Sequence, residues 1–141
     1  MIGQPRTLVP MRLVPSMGPG RHRPQRGLAA GASAALAGVH LDRVVVASRQ
    51  ASYLGVLFLG AGAGFAWVAW RLFRSDNVDT WLAGGALALG VVVGYVLSCT
   101  VGLPGLPIER WSELGDTSTS LAVLLVALAV IRGRSAFGHS P

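Results

Sequence analysis

Two long apolar segments constrain this chain more than any other feature. The segment 80–100 contains no charged residue, and the segment 52–73 contains none before Arg71. As a helix rising 1.5 Å per residue, each would measure about 30 Å, the thickness of the bilayer hydrocarbon. Only 13% of the residues are charged, against about 25% in soluble domains. The sequence therefore predicts membrane-spanning helices.

Two further apolar segments complete the predicted membrane domain, and both are weaker. The segment 28–47 contains His40, Asp42 and Arg43, so it spans only if these residues lie near one membrane interface. The segment 117–131 is a few residues shorter than a full span, so three or two spans are the fallback. We predict an all-α polytopic bundle in residues 27–132, with four transmembrane helices at 28–47, 52–73, 80–100 and 117–131.

Both ends of the chain are predicted to be cytoplasmic tails. Residues 1–26 hold five prolines and five arginines. Proline at this density blocks helix and strand alike, so we predict a disordered basic tail there. The alternative is a secretory signal peptide with residues 27–39 as its apolar part. Residues 133–141 would form a second, short tail.

The arginines predict the orientation of the chain and its surroundings. With the N-terminus inside, nine arginines are cytoplasmic and three are external, at Arg43, Arg49 and Arg110. This excess favours cytoplasmic N- and C-termini under the positive-inside rule. Arginine without lysine, together with many Ala, Gly and Val residues, suggests a bacterial plasma membrane protein. No nucleic-acid-binding module accompanies the arginines, so we expect attraction to the lipid bilayer and no nucleic-acid partner.

Small residues predict where the helices pack. Lipid offers no hydrophobic driving force for helix association, so close backbone approach between small residues must supply it. The pairs Gly60 with Gly64 and Gly90 with Gly94 have this small-xxx-small spacing. They predict helix packing inside the bundle, with a homo-oligomer or another membrane protein as the alternative contact.

The residues that could bind a metal are few. His40, Cys99, Glu109 and Glu113 carry the usual donor groups, and the four-helix topology would gather them at the outer face. No tight ligand spacing accompanies them. Cys99 is the only cysteine, which excludes an intramolecular disulfide and a CxxC motif.

The hypothesis about function rests on the small number of residues that could support catalysis or bind a cofactor. No nucleotide-binding loop, catalytic motif or cofactor fingerprint is present, so the sequence predicts no cofactor and no enzymatic activity. The leading hypothesis is a non-enzymatic protein that acts by association within the membrane. The alternative is an ion or metal transporter, or a sensor component, that uses an outer polar cluster around His40 and Cys99.

A polar stretch closes the third segment. Tyr95, Ser98 and Cys99 share one helix face by their spacing, and the hydroxyl groups are expected to bond to carbonyls of their own helix or to a neighbouring helix. After them, Gly102 and Gly105 alternate with prolines, which fits a structured turn.

The same stretch resembles a known family. The pattern GYxxSxTxGLPG followed by Trp111 resembles small actinobacterial four-helix integral membrane proteins, which have no established activity. The resemblance covers about residues 29–131 and implies the fold and the membrane location. Two departures are the cysteine at Cys99, where the family commonly has arginine, and a last helix without glutamate. The residues that carry the motif are Gly94, Tyr95, Ser98, Thr100, Gly102, Leu103, Pro104, Gly105 and Trp111.

Overall fold

The computed structural model describes residues 23–108 and 112–137. These ranges contain four α-helices and no strand: α1 Arg23–Gln50, α2 Ser52–Arg74, α3 Val78–Thr100 and α4 Glu113–Phe137. By length and composition, all four are apolar enough to cross a membrane. The predicted all-α fold with four membrane helices is confirmed. The predicted tail at residues 1–22, the chain end at 138–141, and Glu109 and Trp111 lie outside the described residues.

The four helices form a bundle of two helical hairpins. α1 packs most extensively on α2 and α3 on α4, while smaller contacts join α2 to α3 and α1 to α4. Ala51 alone connects α1 to α2, so these two helices run antiparallel. Six large apolar residues are almost fully buried between the helices. They are Trp81, Phe65, Leu36, Leu72, Leu125 and Val68.

All four helices are longer than the sequence predicted, and α1 and α4 differ most. α1 begins at Arg23, inside the predicted tail, and continues to Gln50. α4 occupies 113–137 instead of 117–131, so the first residues of the predicted C-terminal tail are helical. Its early start has a clear cause, because Gly115 N–H donates to Ser112 Oγ at 3.2 Å, the geometry of an N-cap. An apolar run predicts the part of a helix that lipid can cover. It does not predict the residues at which the helix begins and ends.

The predicted glycine contacts need correction. Gly64 does approach another helix, since a Cβ added there would lie 2.8 Å from Leu87 Cδ2. A Cβ added at Gly60, Gly90 or Gly94 would meet nothing within 4 Å, so these three glycines face open space in the described chain. Sequence spacing identifies a face of small residues but not the direction in which that face points. Close approaches also occur at glycines outside these two pairs, namely Gly55, Gly62, Gly84, Gly85 and Gly115.

Candidate functional site

Tyr95 joins α3 to the beginning of α4. Its hydroxyl donates to Asp116 Oδ1 at 2.9 Å and accepts from the Ser112 N–H at 3.1 Å. Gly115 lies directly against the ring, because a Cβ there would be 2.5 Å from Tyr95 Cζ. Since Ser112 also caps α4, this network determines where α4 starts. The tyrosine of the motif thus organises the connection between two helices.

The other polar side chains of the motif bond locally. Ser98 Oγ donates to Tyr95 O at 2.8 Å, and Thr100 Oγ1 donates to Val96 O at 2.7 Å. These bonds confirm the expected hydroxyl-to-carbonyl pattern within the helix. Cys99 is a buried free cysteine, and its Sγ lies 3.8 Å from Ser98 Oγ.

The GLPG stretch forms the structured turn that the sequence predicted. Gly102 and Gly105 have φ values of 84° and 78°, a region that favours glycine. Leu106 N–H donates to Leu103 O at 2.9 Å, so the four residues 103–106 have the proline and glycine positions of a type II turn. Tyr53 at the start of α2 donates its hydroxyl to Pro104 O at 2.9 Å. The turn is therefore held against the first hairpin.

The four candidate metal ligands do not form a metal site among the described residues. No group of three His, Cys, Asp or Glu side chains that could hold a metal occurs in 23–108 or 112–137, and Glu109 lies outside these ranges. Glu113 is exposed in the first turn of α4.

His40 lies in the interior of the bundle. Its Nδ1–H donates to Leu36 O at 2.8 Å, because a carbonyl oxygen can only accept. Its ring centroid is 5.4 Å from that of Phe58 and 5.6 Å from that of Phe65. The structure therefore places this residue among aromatic side chains of α2, while α1 continues beyond it to Gln50.

The packing of α1 on α2 shows which level of α2 lies beside this part of α1. Leu41 is pressed against Gly62, where an added Cβ would lie 3.3 Å from Leu41 N. Gly62 is about 15 Å along the helix from Ser52 and about 14 Å from Arg71, at 1.5 Å per residue. This level of α1 therefore matches the middle of the uncharged part of α2.

Asp42 and Arg43 lie on the outside of α1 next to this level. Their side chains are 81% and 45% exposed. Arg43 Nε is 3.9 Å from Asp42 Oδ2, which is a loose pair of sequence neighbours. The interfacial position of these residues stays a prediction, and α1 continues beyond them for two further turns to Gln50. Charged groups near the middle of a bilayer are costly unless they are paired or covered by protein.

The opposite end of the bundle carries an ion pair that sequence reasoning missed. Arg132 Nη2 of α4 lies 3.1 Å from Asp76 Oδ2 in the α2–α3 connection, and Trp81 Nε1–H donates to Asp76 Oδ1 at 2.8 Å. A signal was present, because the predicted topology puts both charges at the cytoplasmic face. Fifty-six residues separate them, so only the folded chain shows that they meet.

We expect Asp76→Asn and Arg132→Gln each to lower the free energy of unfolding by about 1 kcal/mol, since each removes one partner of a partly buried charge pair. In Asp76→Asn the new amide oxygen can still accept from Trp81. The double variant should lose little more than either single variant, a coupling that a double-mutant cycle of SDS unfolding in mixed micelles measures. Asp79→Asn, an exposed change in the first turn of α3, is the control. Strictly additive effects would contradict a direct pair.

No family model, no curated protein and no solved structure matches this chain. Its function must therefore be inferred from the geometry of the described residues.

Proposed function

We propose that this chain is a small multi-pass protein of the bacterial plasma membrane that acts without catalysis, by associating with protein inside the bilayer. The observation that supports the proposal is the exposed pair Asp42 and Arg43 beside the middle of the uncharged part of α2. A neighbouring helix with complementary charge would remove both groups from lipid. The resemblance to small actinobacterial four-helix membrane proteins remains a prediction.

Photo-cross-linking in intact cells tests the proposal. A benzophenone amino acid replaces Val45, which is 61% exposed and one helical turn from Asp42. The matched control position is Leu89 on α3, which is 53% exposed. We expect a discrete protein adduct from Val45 that is absent at Leu89 and lost when Asp42→Asn and Arg43→Gln are combined. Adducts to lipid alone at both positions would contradict the proposal.

We also propose that both termini are cytoplasmic. The connection between α2 and α3 supports this orientation, because Arg71 and Arg74 lie over the rings of Trp67 and Trp70, at 5.8 Å and 4.1 Å from the ring centroids. Arginine with exposed tryptophan is typical of a membrane interface, and the arginine excess favours the cytoplasmic side.

Reporter fusions after Ser75 check this orientation. We expect alkaline phosphatase fused there to be inactive and green fluorescent protein fused there to be fluorescent, because a cytoplasmic loop keeps the phosphatase reduced and unfolded. A fusion after Gln50, at the opposite end of α2, is the control and should give the reverse pattern. An active phosphatase after Ser75 would show the opposite topology.

One observation favours the second candidate, a transporter or sensor of ions. His40 is an ionisable side chain in the bundle interior, and the fully buried Ser33 hydroxyl, two turns away on the same α1 face, has no hydrogen-bond partner among the described residues. Ionisable side chains inside membrane bundles mark ion and proton pathways, and His40 is such a side chain. Proton flux into proteoliposomes that falls in His40→Gln would support this candidate, and equal flux in both proteins would remove it.

A further inference from the structure

We infer that the protein docked against Asp42 and Arg43 is a second copy of this chain, bound in parallel through α1. This inference rests on the proposed function, because it names the partner at the same surface. It follows from three properties of α1: the order of its charges, the small residues beside them, and the position of its buried face.

The charges on α1 of one copy are complementary to the same charges on a second copy. Two copies related by a two-fold axis along the bilayer normal present the same residue at the same depth. Asp42 and Arg43 are neighbours of opposite sign, about 1.5 Å apart in depth, so each carboxylate can meet the guanidinium of the other copy. Two equivalent ion pairs then form, and no uncompensated charge faces lipid. A different protein would need an acid and a base at this same depth.

Small residues let the two α1 helices approach each other. Gly38 and Gly31 precede Asp42 by four and eleven residues, which places them on the same stripe of the helix. Both are exposed, and a Cβ added at either would meet nothing within 4 Å. No side chain therefore stands between the two backbones at these positions, the arrangement that helix association in lipid requires. Arg49 continues the stripe in the last turn of α1, where water screens like charges.

The rest of the bundle leaves this surface free. Asp42 lies on the side of α1 opposite its buried residues Leu36 and His40, so docking there disturbs no core contact. Arg43 follows His40 by three residues and therefore lies at the border of the buried face. Its side chain is 45% exposed, and it must extend around α1 to reach the second copy. The described bundle also has an apolar groove of about 230 Å³ between α3 and α4, lined by residues such as Leu82, Leu89 and Val126. Lipid acyl chains can fill such an apolar groove as favourably as a protein side chain can. Charge, and not apolarity, therefore identifies the interface.

Charge reversal in liposomes tests the inference. The full chain carries Cys99→Ser with Val45→Cys, and oxidation then reports whether two α1 helices are neighbours. Leu89→Cys in the same background is the control for random collision. We expect a disulfide-linked dimer from Val45→Cys and at least fivefold less from Leu89→Cys. Adding either Asp42→Arg or Arg43→Asp should lower the dimer yield at least fivefold, because each variant then presents two like charges to itself.

Mixing the two reversed variants should restore at least half of the dimer, which a size tag on one variant identifies as mixed. Restoration also shows that both variants fold. If neither reversed variant associates in any mixture, Asp42→Asn is mixed with Arg43→Gln, which retains one complementary pair and should form mixed dimers in excess of either homodimer. Failure of this second mixture overturns the inference, as does unchanged cross-linking in the reversed variants.

The photo-cross-linking experiment separates this inference from the proposed function. Adducts of Val45 to a different protein, with no dimer in liposomes, would overturn the second copy as partner and leave association within the membrane standing. Absence of any protein adduct together with absence of dimer would overturn both.

Discussion

Replacing Gly85 with leucine is expected to lower the free energy of unfolding by about 3 kcal/mol, the upper part of the range for overpacking a closely packed contact. A Cβ at Gly85 would lie 2.7 Å from Ala129 Cβ on α4, an atom that cannot move without its backbone. At the adjoining residue, a Cβ at Gly84 would lie 2.9 Å from Val68 Cγ1 on α2. α3 is therefore confined on both sides. Lipid adds no compensating driving force, so the helices must separate.

Gly90→Leu is the matched control for this prediction, because it makes the same change five residues along α3 where nothing lies within 4 Å. Its effect should stay within about 0.5 kcal/mol, as for other exposed substitutions. Reversible unfolding by SDS in mixed micelles, followed by circular dichroism, measures both variants. Equal losses in the two variants would show that α3 does not contact α4 at Gly85 as described.

Replacing Gly115 with leucine is expected to cost a similar amount, about 3 kcal/mol. The new side chain would occupy the position of the Tyr95 ring, since even a Cβ would lie 2.5 Å from Tyr95 Cζ. Displacing the ring also breaks its hydrogen bonds to Asp116 and Ser112. Tyr95→Phe keeps the ring and loses the hydrogen bonds of the hydroxyl, so it should cost about 1 kcal/mol.

A double variant checks that the two residues act through each other. Once Tyr95→Ala has removed the ring, Gly115→Leu has room, so the double variant should be more stable than the sum of the single effects predicts. Amide hydrogen exchange should show faster opening of the first turn of α4 in Gly115→Leu than in the wild type. Additive free energies with unchanged exchange would contradict the described contact.

The sequence predicted the fold because the bilayer restricts the choice so strongly. The uncharged segments 52–70 and 80–100 can be covered by lipid only as helices that satisfy their own backbone hydrogen bonds. The same restriction predicts helices for the two weaker segments, 28–47 and 117–131. The structure confirms all four helices. The positive φ values of Gly102 and Gly105 were also predictable. Gly102 follows the C-cap of α3, where glycine is common, and Pro104 followed by Gly105 favours a type II turn.

The helix ends and the packing glycines were harder to predict. Ser112 extends α4 beyond its apolar run through a single cap, which hydrophobicity does not report. Gly60 and Gly90 have the spacing of packing residues yet face open space, while Gly62 and Gly85 make the close contacts. With nineteen glycines in the chain, spacing alone cannot select those that meet a neighbouring helix.

The sequence by itself determined that this chain forms four membrane-spanning helices, because composition and the length of each apolar run decide what lipid can surround. Only the tertiary structure decided which level of α2 the polar residues of α1 lie beside, and which of them are exposed. The close approach of Leu41 to Gly62 aligns α1 with the middle of α2, which puts His40 inside the bundle and leaves Asp42 and Arg43 on its surface. The level at which α1 packs along α2, and the exposure of its side chains, depend on contacts between the two helices. The local sequence of either helix does not specify those contacts.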